Sequence, residues 1–301
     1  VKRKSILMYI TQIQADITNI ENDTSIYDEL NFDRRANAID FIDFHILDRI
    51  DSPQQNTVTA HKLDLLKHQT QKLLQQLEDI DKKLFEQLRQ NIRAGVPFKE
   101  IIHKYFDRGV TETQPDQPGY DNLDNFINGL LCYDPLPEAT TIRDAEMVFY
   151  QQTPARIIFQ LVEMARLKSG DVFFDIGSGL GQVGMLVNLL TGATTPGVEY
   201  EPAYCNYAKT CAANLNLSDV QFINIDARNA DYSSGSVFFM YTPFEGNMLQ
   251  QVLGILQQQA KQRPIRIFTY GPCSPQVAKQ PWLTCTNGDG SDIYKLYEFK
   301  S

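Results

Sequence analysis

The sequence contains few of the residues that form disulfide scaffolds and metal centres. Its 301 residues include five cysteines and four histidines, and no two cysteines are spaced as C-x-x-C. An odd number of scattered cysteines does not predict a disulfide framework, and isolated histidines do not predict a zinc site. We therefore expect no bound metal, and we expect reduced thiols of the kind found in cytoplasmic proteins.

Long apolar runs and a basic excess are also missing. No stretch approaches the ~20 apolar residues that cross a bilayer, and Thr11, Gln12 and Gln14 interrupt the N-terminal apolar stretch, which argues against a signal peptide. The net charge is −9, with the acidic excess concentrated in residues 1–149. Proteins that grip nucleic acid unaided carry a basic surface. The composition therefore predicts a cytoplasmic protein with neither a membrane nor a nucleic acid as partner, and it leaves the oligomeric state open.

The first 140 residues have the periodicity of amphipathic helices. Apolar residues recur at steps of three and four, and the Gly- and Pro-containing segment Gly109–Asp121 predicts a loop. We predict an all-α N-terminal domain over residues 1–140, a helical bundle in preference to an extended coiled coil. The segments with helical spacing are residues 6–20, 32–50, 66–92, 97–105 (with Pro97 as first helical residue) and 123–131.

From about residue 141 short apolar runs alternate with helical stretches. Thr153 and Pro154 predict the N-cap and first residue of a helix that ends near Gly170. Alternation of this kind predicts a parallel sheet with helices on both faces. An Asn-Gly-Asp-Gly turn near the C-terminus predicts a closing β-hairpin. The predicted strands are 172–176, 195–199, 220–225, 237–241, 265–270, 282–286 and 293–299, and the predicted helices between them are 181–191, 202–215 and 246–261.

A glycine-rich motif follows the first predicted strand. Asp175 ends the strand, and the next residues are Ile-Gly-Ser-Gly-Leu-Gly-Gln, in which Gly177, Ser178, Gly179, Gly181 and Gln182 are candidate cofactor-binding residues. Glycines allow tight turns and close approach to a ligand at the carboxyl end of the strand. Position 182 is not glycine, so the dinucleotide pattern G-x-G-x-x-G is not met. A carboxylate in the crevice would repel phosphate but attract the cationic end of S-adenosylmethionine (SAM).

Two further acids end the next two predicted strands. Glu199 follows Asp175 by 24 residues and is placed to accept hydrogen bonds from ribose hydroxyls. Asp226 is placed to accept from an adenine amino group, while the backbone N–H of Ala227 donates to a ring nitrogen. Each acid alone could be a helix cap or a surface residue. Three acids at consecutive strand ends predict SAM as the cofactor.

The fourth predicted strand leads into Tyr241-Thr242-Pro243-Phe244. This segment resembles the N/D-P-P-Y/F loop of amino-methyltransferases, with Tyr241 and Thr242 in place of the polar acceptor and the first proline. We predict that Tyr241, Thr242 and Phe244 are catalytic, with Tyr241 also contacting the cofactor. The missing Asn or Asp argues against methylation of a nucleobase amino group. The alternative interpretation is a tight turn that ends the strand.

The glycine motif, together with Phe-Tyr-Gln-Gln-Thr-Pro at 149–154, resembles the disruptor-of-telomeric-silencing family of lysine methyltransferases. The resemblance covers residues 145–245. It implies that Tyr150 and Thr153 lie over the methionine moiety of SAM and that Gln182 lies near it, with Tyr150 at the catalytic centre. The chain departs from the family at Tyr241–Phe244, where the family has an Asn-Asn-Phe segment, and in its acidic charge.

The sequence therefore predicts an α/β fold of the class I methyltransferase type over residues 141–301, Rossmann-like with a C-terminal antiparallel hairpin. The expected function is SAM-dependent methylation of a protein side chain such as lysine. Two alternatives stay open: methylation of a small molecule, and a SAM-binding interaction protein without turnover. An NAD-dependent oxidoreductase is disfavoured by the glycine spacing. The methyl acceptor, a protein or a small molecule, is the one partner that the sequence implies.

Overall fold

The computed structural model describes residues 2–51, 57–106, 119–131, 135–168 and 170–301. The chain divides into two compact units, Val1–Leu88 and Arg89–Ser301. This division falls within a long helix, earlier than the predicted domain boundary between residues 140 and 141, which stays a prediction.

The first unit is all-helical, as the spacing of its isoleucines and leucines predicts. The predicted helix over 32–50 is interrupted by one π-helical turn, Ile42–Leu47, between two α-helices. Ile10, Ile13 and Ile17 lie in one core with Leu73 and Leu77. The helices that reach into this unit are α1 (Lys2–Asn22), α2 (Phe32–Phe41), α3 (Asp48–Asp51) and α4 (Thr57–Arg93), with a short 3₁₀ turn at Thr24–Tyr27.

The second unit is built around a seven-stranded sheet with the strand order β3-β2-β1-β4-β5-β7-β6. The first five strands run parallel, and β7 pairs antiparallel with both β5 and β6. The predicted Rossmann-like sheet with antiparallel C-terminal strands is therefore confirmed. The strands are β1 (Phe173–Ile176), β2 (Thr195–Glu199), β3 (Val220–Asn224), β4 (Val237–Met240), β5 (Arg266–Thr269), β6 (Thr284–Cys285) and β7 (Tyr297–Lys300).

Helices cover both faces of this sheet, so the two central strands β1 and β4 are buried along their whole length and are apolar except at Asp175. Phe173, Phe174, Phe238 and Phe239 are all buried, which is typical of strands covered on both faces. Helix α11 was not predicted from the sequence, and most of the predicted loop Gly109–Asp121 lies outside the described residues. The helices are α5 (Phe98–Tyr105), α6 (Asn122–Leu131), α7 (Ala155–Ala165), α8 (Gln182–Thr191), α9 (Pro202–Asn214), α10 (Gly246–Ala260) and α11 (Ser274–Ala278).

Strand β1 lies between β2 and β4, and this order positions the site. The chain leaves β1 toward β2 and β3 on one side, and later returns to β4 and β5 on the other. In open parallel sheets such a reversal opens a crevice beyond the carboxyl ends of the strands, where ligands bind. The glycine motif follows β1 directly and therefore lies at this crevice.

Three details of the helix and turn predictions were wrong. Pro97 is the N-cap of α5, whose first residue is Phe98. Helix α7 ends at Ala165, well before Gly170, because Arg166 takes a left-handed conformation with φ 48° and closes the helix. The C-terminal hairpin is real, but residues 286–296 separate its two short strands, so the connection is a long loop and not a tight turn.

The predicted N-cap at Thr153 was also wrong. Pro154 occupies the cap position of α7 and makes no side-chain cap hydrogen bond. The cap comes from helix α6 instead: Oδ1 of buried Asp124 accepts the backbone N–H of Ala155 at 2.7 Å. Oδ2 of the same carboxylate accepts the N–H of Asp121 at 2.9 Å. Asp124, 31 residues before Ala155 in the sequence, therefore caps α7 in place of a neighbouring residue.

We expect Asp124→Ala to lower the free energy of unfolding by about 1–3 kcal/mol, because it leaves two backbone donors without an acceptor. Thr153→Val, which removes the hydroxyl that the sequence suggested as a cap, should cost less than about 1 kcal/mol. The midpoint of urea unfolding, followed by circular dichroism, measures both. Equal losses in the two variants would contradict the cap assignment.

Candidate active site

A cavity of about 500 Å³ lies at the carboxyl ends of β1, β2 and β4. Its volume is in the range of sites that bind small molecules or cofactors. Eight of the predicted site residues line it: Tyr150, Gly177, Gly179, Glu199, Ala227, Tyr241, Thr242 and Phe244. The other predicted residues, Thr153, Asp175, Ser178, Gly181, Gln182 and Asp226, lie outside its wall.

The glycine motif forms a tight loop at the base of the cavity. Gly177 and Gly179 have φ of 82° and 52°, which side-chain-bearing residues rarely adopt. A Cβ on Gly177 would overlap Pro243, and a Cβ on Gly179 would overlap the ring of Tyr150. The loop is fixed to β2, because the backbone N–H groups of Gly177 and Ser178 both donate to the carbonyl oxygen of Val198, at 2.9 and 3.0 Å. The absence of side chains at these two positions therefore allows Pro243 and Tyr150 to pack directly against the loop.

Glu199 closes the far side of this loop. Its Oε2 accepts the Gly179 N–H at 2.7 Å, and its Oε1 accepts the Glu201 N–H at 2.7 Å. Burial raises the pKa of Glu199, and these backbone hydrogen bonds offset the rise only in part. Each carboxylate oxygen can accept a second hydrogen bond. Glu199 is thus a rigid acceptor on the cavity wall, at the position where the sequence expects a ribose.

Asp175 lies behind the loop and not on the wall of the crevice where the sequence placed it. The residue is 3% exposed, and its Oδ2 is buried without a hydrogen-bond partner. Burial, and then the neighbouring charge of Glu199, raise the pKa of Asp175 to about 8. The carboxyl group is therefore mostly protonated at neutral pH until a cation or a donor reaches it.

Asp226 is engaged by its neighbour Arg228. The side chain of Arg228 donates to both carboxylate oxygens, with Nη2 at 2.6 Å from Oδ2, and this pairing lowers the pKa of Asp226. Asp226 also caps the 3₁₀ helix Ala227–Asn229. We expected the Asp226 carboxylate to accept a hydrogen bond from adenine. In the structure Ala227 lines the cavity, whereas Asp226 does not line it and is paired with Arg228.

The loop after β4 is strained at Thr242. This residue has φ 42° and is 5% exposed. Such a conformation costs about 1–3 kcal/mol for a β-branched residue, and strain of this size is concentrated at functional sites. Oγ1 of Thr242 accepts the Cys273 N–H at 3.0 Å and donates to the Tyr270 carbonyl at 3.3 Å. The hydroxyl therefore holds the loop in place, and the catalytic role expected of Thr242 stays a prediction.

The aromatic residues beside Thr242 differ in exposure. Phe244 is 3% exposed and belongs to the core between the sheet and α10, although it touches the cavity. Tyr241 is partly buried, with its ring 5.0 Å from that of Tyr270, and burial raises the pKa of its phenol far above the usual value. Tyr150 is 41% exposed, with its ring 5.5 Å from that of Tyr204. Tyr150, Tyr241 and the more exposed Phe149 are thus aromatic side chains on the cavity wall.

One wall of the cavity is the segment Ala139–Gln151, here called the strap, of which the sequence analysis had predicted Tyr150 alone as a site residue. The strap has no regular periodicity, so no local pattern marks it. Glu201 fixes its first part, because this carboxylate accepts the Thr140 hydroxyl at 2.6 Å and the Thr141 N–H at 2.8 Å. Burial alone would raise the pKa of Glu201, but its hydrogen bonds lower the pKa to about 2.

The second part of the strap is fixed to the loop after β4. The Glu146 carboxylate accepts the backbone N–H groups of Asn247 and Met248 at 2.9 and 2.6 Å, and so caps α10. The Val148 N–H donates to the Pro243 carbonyl at 3.1 Å. Cavity wall and strained loop therefore form one connected structure.

Comparison with known proteins fits this geometry. Residues 144–251, about a third of the chain, match the model of the family described as histone methylation protein DOT1. The matched segment contains the strap residues from Asp144 onward, the glycine loop, Glu199 and the strained loop. The chain is a SAM-dependent methyltransferase. Its sheet also has the strand arrangement of class I methyltransferases, with β7 antiparallel between β5 and β6.

Three solved structures similar to this methyltransferase are each less than 25% identical to it in sequence. An RNA methyltransferase from Salinibacter ruber with bound S-adenosyl-L-homocysteine is 22% identical, covering 50% of this chain and 92% of that one (TM-score 0.38). A SAM-dependent methyltransferase from Geobacter sulfurreducens is 24% identical, covering 42% and 53% (TM-score 0.33). A precorrin-6y methyltransferase from Geobacter metallireducens is 16% identical, covering 51% and 92% (TM-score 0.40). A search of curated protein sequences finds no match.

The residues at the site fit SAM. Gly177 and Gly179 line the cavity with bare backbone, and their lack of side chains lets Pro243 and Tyr150 pack directly against the loop. Three buried polar atoms near the loop have no hydrogen-bond partner: Oδ2 of Asp175, Oγ of Ser178 and Oε1 of Gln182. Buried polar atoms are nearly always satisfied, so three such atoms beside the loop fit a bound polar ligand or ordered water that hydrogen-bonds to them. No described helix is long and apolar enough to cross a membrane.

Proposed function

We propose that this methyltransferase transfers a methyl group from SAM to a nitrogen atom of a protein side chain, with lysine as the favoured acceptor. The observation that carries the proposal is the aromatic rim of the cavity. Tyr150 is 41% exposed and Tyr241 lines the cavity nearby, while the exposed ring of Phe149 already holds a cation, the guanidinium of Arg143, 3.3 Å from its centroid. Aromatic faces attract a cationic side chain. The similarity of residues 144–251 to a histone methylation family supports a protein acceptor.

The chemistry needs alignment more than it needs a catalytic group. SAM, when bound, supplies an electrophilic methyl group on a positively charged sulfur. The residues of the chain hold the acceptor nitrogen in line and exclude water, and such alignment alone can account for a large part of a rate enhancement. A lysine ammonium must first lose its proton. Burial raises the pKa of Tyr241, which disfavours its phenolate as the base, and we propose that the acceptor's proton passes to solvent.

The acidic N-terminal half suits a basic acceptor. The acidic excess of the chain lies in residues 1–149, and complementary charge favours association with a lysine-rich segment. We propose that the helical domain over residues 1–140 serves as a platform for such a segment. If so, the KM for a basic acceptor peptide should rise with salt concentration, whereas a KM that does not change with salt would contradict a charged platform.

A small anionic acceptor is the second candidate, and Arg156 favours it. The guanidinium of Arg156 lies beside the Tyr270 hydroxyl and donates to the Gly119 carbonyl, while its Nε is buried without a partner. Tyr270 in turn packs against Tyr241. A guanidinium near the rim would attract a carboxylate or phosphate on a small molecule.

Labelling a cell lysate with radioactive SAM and the purified enzyme separates these two candidates. We expect the label in acid-precipitated protein and, after hydrolysis, in methyl-lysine. Label confined to the small-molecule fraction would overturn the protein acceptor and favour the second candidate. Heat-inactivated enzyme gives the background.

We expect Tyr241→Phe to reduce turnover about tenfold while the affinity for SAM changes less than about twofold. The phenol hydroxyl is the one polar group that this substitution removes from the rim, and a hydrogen bond to a reacting amine is worth about 1–1.5 kcal/mol. Phe244→Ala is a poorer probe, because burial of Phe244 in the core predicts a loss of stability of about 3–5 kcal/mol. Wild-type turnover in Tyr241→Phe would remove the hydroxyl from the mechanism.

We propose a cytoplasmic location for the enzyme. The described cysteines Cys205, Cys211, Cys273 and Cys285 are free thiols, as expected in a reducing compartment. Cell fractionation tests this proposal, and recovery of the protein only from an oxidising compartment would contradict it.

A further inference from the structure

Three side-chain amides from different parts of the second unit form a network beside the glycine loop. Asn128 lies on α6, Gln152 precedes α7, and Gln182 is the first residue of α8. Oδ1 of Asn128 accepts from Nε2 of Gln152 at 2.6 Å and from Nε2 of Gln182 at 3.0 Å. Nδ2 of Asn128 donates to Oε1 of Gln152 at 3.0 Å. Every polar atom of Asn128 and Gln152 amides therefore has a partner within the network.

The network leaves one polar atom over. Gln182 is 4% exposed, and its Nε2 donates to Asn128. This hydrogen bond fixes the orientation of the amide, so its Oε1 points in one direction. Oε1 is buried and has no hydrogen-bond partner. An amide that was free to turn could hide or satisfy this oxygen. Asn128 prevents the turn, so a buried acceptor is kept next to the loop that carries Ser178 and Gly179. A buried acceptor without a partner lowers the stability of the folded protein, and a ligand that donates a hydrogen bond to it removes this penalty.

The network also reaches the segment that carries Tyr150. Gln152 follows Tyr150 by two residues, and its carbonyl oxygen accepts the Tyr120 hydroxyl at 2.7 Å. Asn128 thus connects Gln152, which lies close to Tyr150 in the chain, with Gln182, which follows the glycine loop. It lies outside residues 144–251, which match the family model.

We infer that Asn128 is a positioning residue for the amino-acid end of SAM: it orients Gln182 so that Oε1 accepts a hydrogen bond from the ammonium group of the methionine moiety. Hydrogen bonds between a buried amide and an ammonium group are charge-assisted and stronger than neutral ones. The inference rests on SAM as the cofactor. It does not depend on which acceptor is methylated.

The test compares two nucleosides that both lack the carboxylate and differ in the amine. Decarboxylated S-adenosylhomocysteine carries a three-carbon chain that ends in an amino group, and 5′-propylthioadenosine carries the same chain without it. Calorimetry on the full chain gives both Kd values. In the wild type we expect the amine to improve affinity about tenfold or more, and in Asn128→Leu we expect this ratio to fall to about one to two while the Kd of 5′-propylthioadenosine stays within about threefold.

Two variants serve as controls. Asn125→Leu makes the same substitution at an exposed position of the same helix and should keep the wild-type ratio. Asn128→Asp retains an oxygen that can accept from Gln182, so it should keep most of the ratio, and it tests the inference even if Asn128→Leu does not fold.

Three results would overturn the inference. The first is an unchanged ratio in Asn128→Leu, and the second is an equal loss for both nucleosides. The third is that Asn128→Leu lowers only the advantage in affinity of S-adenosylhomocysteine over its decarboxylated form. In that case the Gln182 amide would present its NH₂ group to the carboxylate and not its oxygen to the ammonium group. If the wild type bound none of these nucleosides, the cofactor assignment itself would fall, whereas a non-protein acceptor in the lysate experiment would leave the role of Asn128 intact.

Discussion

In Glu199→Gln the affinity for SAM should fall about 10- to 100-fold, the largest loss that we expect from a single isosteric change. Both carboxylate oxygens accept backbone N–H groups, from Gly179 and from Glu201, at 2.7 Å each. A glutamine has one oxygen and one NH₂ group, so one of these donors would face another donor. The ribose would also lose one acceptor, and hydrogen bonds to a charged group are worth about 1.5–3 kcal/mol.

Calorimetric titration with S-adenosylhomocysteine measures this loss, with the melting temperature as a check on folding. Glu298→Gln is the matched control. This glutamate is also a partly buried acid at the sheet, paired with Arg266 at 2.7 Å, but it does not line the cavity. We expect the control to lose some stability and no cofactor affinity. Wild-type affinity in Glu199→Gln would remove Glu199 from the cofactor site.

Asp175→Asn should change the pH dependence of both stability and cofactor binding. The pKa of Asp175 is raised from its usual value near 3.8 to about 8 in the folded protein. Between those two pH values the unfolded chain is ionised at this residue while the folded chain holds the proton. The contribution of Asp175 to stability is therefore fully present below pH 4 and is lost as the pH rises through 8, by about 2–5 kcal/mol in total. Asparagine has no proton to lose, so this part of the pH dependence should vanish.

Binding of a cation has the opposite pH dependence. A positively charged ligand favours the ionised carboxylate, so the affinity of the wild type for SAM should rise between pH 6 and pH 8, by up to about tenfold per pH unit. Subtracting the profile of Asp175→Asn removes the contribution from the amino group of SAM itself. Urea unfolding and calorimetry at several pH values give the two profiles. Parallel profiles in wild type and variant would show that Asp175 does not titrate in this range.

The sequence predicted the strands of the sheet and the helices between them better than the residues at which they begin and end. Phe173 and Phe174 belong to one short apolar run, and Phe238 and Phe239 belong to another. Short apolar runs of this kind are typical of parallel strands that are buried on both faces. The α7 cap could not be predicted, because the acceptor is Asp124 on another helix. Local patterns predict local hydrogen bonds, and this bond depends on how α6 packs.

The candidate site was predicted in the same uneven way. Gly177, Gly179 and Glu199 follow strand ends, where topology alone brings residues together, and they do line the cavity. The strap and Asn128 have no such marker. Their positions depend on carboxylate and amide hydrogen bonds between residues that are from 24 to 102 positions apart. A single sequence without a model of packing carries no signal for these bonds.

The most direct test of the account is a calorimetric titration of the full chain with S-adenosylhomocysteine, with NAD as the matched nucleotide. We predict one site per chain for S-adenosylhomocysteine, competition by SAM at that site, and no heat of binding with NAD. Binding of NAD, or no binding of S-adenosylhomocysteine to folded protein, would contradict the claim that the cavity bordered by Gly179 and Glu199 holds the methyl donor.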